Sequence, residues 1–139
     1  MNKTHAQSFK LKPSSIPGAG VGVFALHNID AGVLLALKPS HKIGITLQKA
    51  DIAEDLLAYC INNDDRTYTC PPEFNHMHLV WYLNHSDTPN TEKREDGYYS
   101  LREIHRGEEI LINYNIFHKP DEEKIQYDAS GKRIQNANV

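Results

Sequence analysis

The chain has 139 residues, 40% apolar and 24% charged, with a formal net charge of -3 from 15 basic and 18 acidic side chains. That length fits one compact domain able to bury a core without disulfides or metals, and the apolar and aromatic content excludes a disordered chain. No run approaches the ~18 consecutive apolar residues of a membrane span, and the acidic balance without a basic stripe argues against direct nucleic-acid binding.

In chain order, residues 8–12 alternate apolar with polar and predict a short strand. The punctuated run from Pro13 to Gly22 leads into a second strand at 23–26, and Ile29 to Gly32 reads as a turn. Residues 33–37 and 42–47 are short, aliphatic strand candidates. Residues 51–62 predict the best helix: Asp51 and Glu54 form a capping-box pair, and Ile52, Leu56, Tyr59 and Cys60 recur at helical spacing. Residues 63–75 read as loop. Residues 76–84 read as a short helix or turn burying Leu79, Val80 and Leu83, followed by a turn at 86–90 fixed by Pro89. Thr91 to Arg102 alternates around Asp96-Gly97 as a hairpin. Gly107 marks another turn, and Ile110 to Tyr114 is an apolar strand with Tyr114 at its end. Residues 118–139 are a polar tail. Many short strands between Gly, Pro and Asn turns predict a mainly β, β-rich α+β fold in one domain over 1–139, its core at about 8–117.

Three segments carry candidate chemistry. The cluster Gly18-Ala19-Gly20-Val21-Gly22 is neither a dinucleotide fingerprint nor a P-loop; its bare Cα atoms suit close approach of a ligand, or simply a tight turn. In Asn84-His85-Ser86-Asp87-Thr88-Pro89-Asn90, the adjacent His, Ser and Asp cannot form a hydrolytic triad. The flanking Asn side chains either satisfy their own turn or read a ligand's polar edge. Tyr114 would have a buried ring and a hydroxyl that needs a partner.

The ordered set Ser15-Ile16-Pro17-Gly18-x-Gly20-x-Gly22-Val23-Phe24-Ala25, Asn84-His85-Ser86-x-x-Pro89-Asn90 and Leu101-Arg102-x-Ile104-x-x-Gly107-Glu108-Glu109-Ile110-x-x-x-Tyr114 resembles the SET-domain family of protein lysine methyltransferases. The resemblance spans roughly residues 8–117. It implies a fold of small curled sheets whose C-terminal strand passes beneath a loop as a pseudoknot. It also implies S-adenosylmethionine as methyl donor. By motif position, Gly20, Val21 and Gly22 would line the methionine end of that cofactor, and Asn84 and His85 would hold its adenine and amino groups. Tyr114 would be the catalytic tyrosine, and Phe117 is a candidate to stack on adenine. The implied partner is a protein with an exposed lysine, histone-like or otherwise basic; the alternative is an inactive SET-like module that binds a peptide or partner.

The chemistry suits these residue types. Attack on a sulfonium methyl requires a neutral amine, yet a free lysine has a pKa of about 10.4, so a dry channel beside a positive sulfur must lower it. The reacting atoms must also be aligned about 3–3.5 Å apart. A tyrosine hydroxyl with backbone carbonyls can orient them; a tyrosinate base is disfavoured by its reference pKa of about 10.

The chain departs from many relatives at Trp81, where they carry arginine, and at Asp87, where they carry a zinc-binding cysteine; no cysteine follows Cys70. No post-SET zinc site, and no metal, is expected. The lysine channel would then be closed by residues 115–139 or by a second subunit of a homodimer. Cys60, Cys70, His76 and His78 match no standard zinc spacing. Tyr59, Tyr68, Tyr98 and Tyr99 are each candidates for the channel wall or for core packing. Two cysteines and a polar N-terminus without a signal-peptide run lead us to expect an intracellular setting, cytoplasmic or nuclear, with no membrane partner.

Overall fold

A computed structural model describes residues 3–39, 43–64, 66–73, 75 and 77–117, the last two as backbone only. The tail from 118 and His76 lie outside the described residues, as does the side chain of Phe117. Among the described residues, ten short strands form four small sheets, accompanied by one four-residue α-helix.

Strand β1 (Phe9–Pro13) pairs antiparallel with β2 (Val21–Ala25). The Gly18–Gly20 turn between them holds two glycines at φ 78° and 75°, a region that favours residues lacking Cβ. On its other edge β2 is bonded by the 108–110 segment: Ala25 N–H donates to Glu108 O, and Ile110 N–H to Val23 O. Paired on both sides, β2 buries Val23, Phe24 and Ala25. Strand β3 (Leu34–Leu35) pairs with β9 (Gly97–Ser100), which pairs in turn with β8 (Thr91–Arg94). The β8–β9 turn is the expected hairpin; Arg94 faces Gly97 across it. A third sheet has the order β4 (Ile45–Gln48), β6 (Thr67–Cys70), β5 (Ile61–Asn62). Finally β7 (Asn84–His85) lies parallel to β10 (Leu111–Ile112), and the buried apolar core includes Val23, Ile29, Leu35, Leu83, Ile104 and Ile110.

Three local expectations are corrected. The helix over 51–62 shrinks to α1 (Glu54–Leu57), preceded by a 3-10 turn at Lys49–Asp51; its N-cap is Ala53 without a side-chain bond, not Asp51. The stretch buries no helix face, and Ile61 and Asn62 are drawn into pairing with β6 instead. Strand β6 itself lies in the stretch read as loop, because Thr67 to Cys70 gains its ladder only from strands on both sides. The last strand ends at Ile112, and Tyr114 opens a 3-10 turn over Tyr114–Phe117, so it is not a strand residue.

Candidate active site

The parallel β7–β10 pair brings Asn84 and His85 beside the segment that leads to Tyr114. The join is made by side chains as well as backbone. Tyr114 N–H donates to His85 Nδ1 at 3.0 Å, and the two rings stand 5.1 Å apart. A backbone N–H can only donate, so Nδ1 is the bare nitrogen and Nε2 carries the hydrogen it shares with Asp87 Oδ1 at 3.0 Å. The Tyr114 hydroxyl donates to Leu83 O at 2.7 Å, which aims the phenol back at the residue before Asn84. Tyr82 packs edge-to-face on Tyr59, with ring centroids 5.7 Å apart.

Asn84 ties this pair to the glycine turn. Its Nδ2 donates to Val21 O at 3.1 Å and to Glu109 Oε2 at 3.0 Å. Glu109, only 5% exposed, is a node that sequence reasoning missed. Its carboxylate also accepts from Ser14 Oγ at 2.8 Å, Ser15 N–H at 2.9 Å and Ser15 Oγ at 2.6 Å. Bonds to a backbone N–H, two hydroxyls and an amide are what a buried anion needs. Gly22 is bare for this carboxylate: a Cβ there would meet Glu109 Oε2, with Glu109 Cδ at 2.9 Å and Asn84 Nδ2 at 3.3 Å. Gly20, by contrast, has nothing within 4 Å of where its Cβ would stand and faces open space. The Gly-Glu-Glu run was the available signal, but nothing local tells which of its carboxylates turns inward.

Its neighbour Glu108 turns to the surface. Burial raises its carboxyl, but bonds from Arg102 Nη2 at 2.6 Å, Asn90 Nδ2 at 3.0 Å and His105 N–H outweigh that and bring it down to about 2. Asn90 spends all four of its hydrogen-bonding positions inside the fold, on Glu108, Glu109 O, Leu111 N–H and Thr91 Oγ. It is therefore structural, holding the β7–β8 turn against the last strand.

The other candidates disperse. Tyr98 is core, and burial lifts its hydroxyl to about 12. Tyr99 is on the surface, bonded to Asp96 and under Arg94. Tyr68 lies on β6, and of the four tyrosines weighed only Tyr59 stands against Tyr82. Trp81 is buried, its Nε1 without a partner among the described residues. Cys60 and Cys70 sit close enough that Cys70, after burial, adds to pushing the Cys60 thiol up. Among the described residues no three His, Cys, Asp or Glu side chains cluster as metal ligands.

Among solved structures, the chain is similar to a Plasmodium falciparum protein provisionally assigned to the histone methyltransferases, with 22% identity over 86% of this chain and 98% of the other, at a TM-score of 0.49. No curated protein matches. The SET domain family model matches residues 20–115, more than two thirds of the chain, and takes in Gly20, Asn84, Glu109 and Tyr114. The chain belongs to the SET-domain family, whose members are generally methyltransferases.

Proposed function

We propose that the protein is an S-adenosylmethionine-dependent protein-lysine N-methyltransferase acting, inside the cell, on a histone or another basic protein. The supporting observation is the bonded path from Val21 through Asn84 to Glu109, together with that from Leu83 through Tyr114 to His85. These paths bring three distant motifs into one site. The residues fit the cofactor. No described residue donates to Asn84 Oδ1, an acceptor suited to an ammonium, while Gly20 opens the neighbouring backbone to close approach. When bound, S-adenosylmethionine supplies an activated methyl on a positively charged sulfur.

The remaining work falls to the chain. Tyr114 donates its hydroxyl hydrogen to Leu83 O and so meets an incoming amine with its oxygen lone pairs, orienting the nitrogen by accepting from it. A phenol already committed as donor is a positioning group and not a base. His85 fixes the backbone of Tyr114. Tyr59 and Tyr82, packed edge-to-face on one another, would offer an apolar wall against which the lysine sheds water, and burial would favour its neutral form.

Incubation with labelled methyl donor, a histone mixture and a cell lysate, followed by mass spectrometry, should show a methylated lysine. Tyr114→Phe should lower the rate by about 10²-fold while changing stability by less than ~1.5 kcal/mol. An undiminished rate in that variant refutes the role of Tyr114. No methyl transfer, and no heat on calorimetric titration with S-adenosylmethionine, refutes the enzyme reading.

A further inference from the structure

Glu109 is a buried carboxylate with no ion-pair partner among the described residues. Each group bonded to it donates: Ser14, Ser15 through both backbone and side chain, and Asn84. The Asn84 amide stands between two fixed acceptors, the carbonyl of Val21 and this carboxylate. Turned over, the amide would set its Oδ1 against both of them. The amide therefore has one stable orientation, with Nδ2 inward and Oδ1 left to accept.

We propose that Glu109 is a specificity-determining positioning residue: by holding the Asn84 amide in that orientation, it makes the Asn84 subsite select a ligand group that donates, an ammonium, over one that only accepts. The inference rests on the cofactor reading above and adds the origin of its selectivity. Gly22 belongs to the same device, since its missing Cβ leaves the space that the carboxylate fills. Replacing Glu109 by Gln conflicts with the network in either rotamer. An NH2 at the Oε1 position faces the Ser15 N–H, and at the Oε2 position it faces Asn84 Nδ2. Turning Asn84 relieves the conflict at residue 109, at the cost of setting its Oδ1 against Val21 O, and exposes an N–H donor where the acceptor stood.

The test is calorimetric titration with S-adenosylhomocysteine and with its analogue lacking the α-amino group. The wild type should favour the amino compound by about tenfold or more, the value of one charge-assisted hydrogen bond. Glu109→Gln should bring that ratio close to one. Ser15→Ala, which removes a donor from the far oxygen and leaves the Asn84 bond in place, should keep it. A wild type that binds neither compound overturns the cofactor reading, and this inference with it. A wild type that discriminates, with Glu109→Gln discriminating equally, overturns the role of Glu109 alone. One measurement needs no variant: the Asn84 side-chain amide protons of the wild type should exchange slowly with solvent and remain protected when S-adenosylhomocysteine is added. Rapid exchange in the free protein, or loss of protection on binding, refutes the proposed orientation.

Discussion

Gly22→Ala is the sharpest probe of how the site is built. The new methyl would take the position of Glu109 Oε2, which accepts from Ser14 Oγ at 2.8 Å and Asn84 Nδ2 at 3.0 Å. The carboxylate is the end of a side chain and can withdraw, but not without leaving these donors. Hydrogen bonds to a charged group are each worth about 1.5–3 kcal/mol, so losing two costs about 3–6 kcal/mol, comparable to stripping a buried charge of its partner. For a chain of this length that corresponds to a fall in melting temperature of roughly 10–20 °C. Gly20→Ala is the internal comparison. Its φ of 75° strains a residue with Cβ, at about 1–2 kcal/mol, but the methyl would meet nothing within 4 Å. Thermal melts followed by circular dichroism should therefore rank Gly22→Ala well below Gly20→Ala. The double variant Gly22→Ala, Glu109→Ala should lose less than the sum of its parts, because the methyl acts through the carboxylate. A Gly22→Ala protein that melts within a few degrees of the wild type, or two substitutions that simply add, would refute this account.

Asn90→Ala should cost about 3–4 kcal/mol, since it strands Leu111 N–H and removes both donors to the Glu108–Glu109 segment; a lower urea midpoint at unchanged m-value would measure it. Glu108 ties stability to acid. Its carboxyl titrates at about 2 in the fold against an ordinary 4.5, so the unfolded chain takes up the proton first. Its stabilisation is full above pH 4.5 and drains as pH falls towards 2, amounting to about 1–2 kcal/mol once solvent screening is allowed for. Glu108→Gln should flatten the wild type's loss of stability over that window, and an unchanged slope would count against the Arg102–Asn90–Glu108 cluster.

The hairpin at 91–100 was legible because its signal is local: Asp96-Gly97 and the alternation beside it need no distant partner to act. The glycine turn, Asn84-His85 and Tyr114 could likewise be found as residue types in order. The helix over 51–62 and the loop over 63–75 misled because their fate was decided by pairing across the β4–β6–β5 sheet. Helical spacing without a buried face does not hold a helix together. Tyr114 was identified by type but placed in the wrong element, because the strand stops where its partner β7 stops.

By itself the sequence determined the β-rich class, the family and the candidate residues, since each rests on residue types and their order along the chain. Tertiary structure alone decided what those residues do to one another. It assigned Gly22 to a carboxylate and Gly20 to open space, turned Glu109 inward and Glu108 outward, and gave Asn84 a single orientation. The physical reason is that a buried charge takes its partners from wherever the fold delivers donors. For Glu109 these come from positions 94, 95 and 25 residues away along the chain, a distance over which no sequence pattern carries geometry.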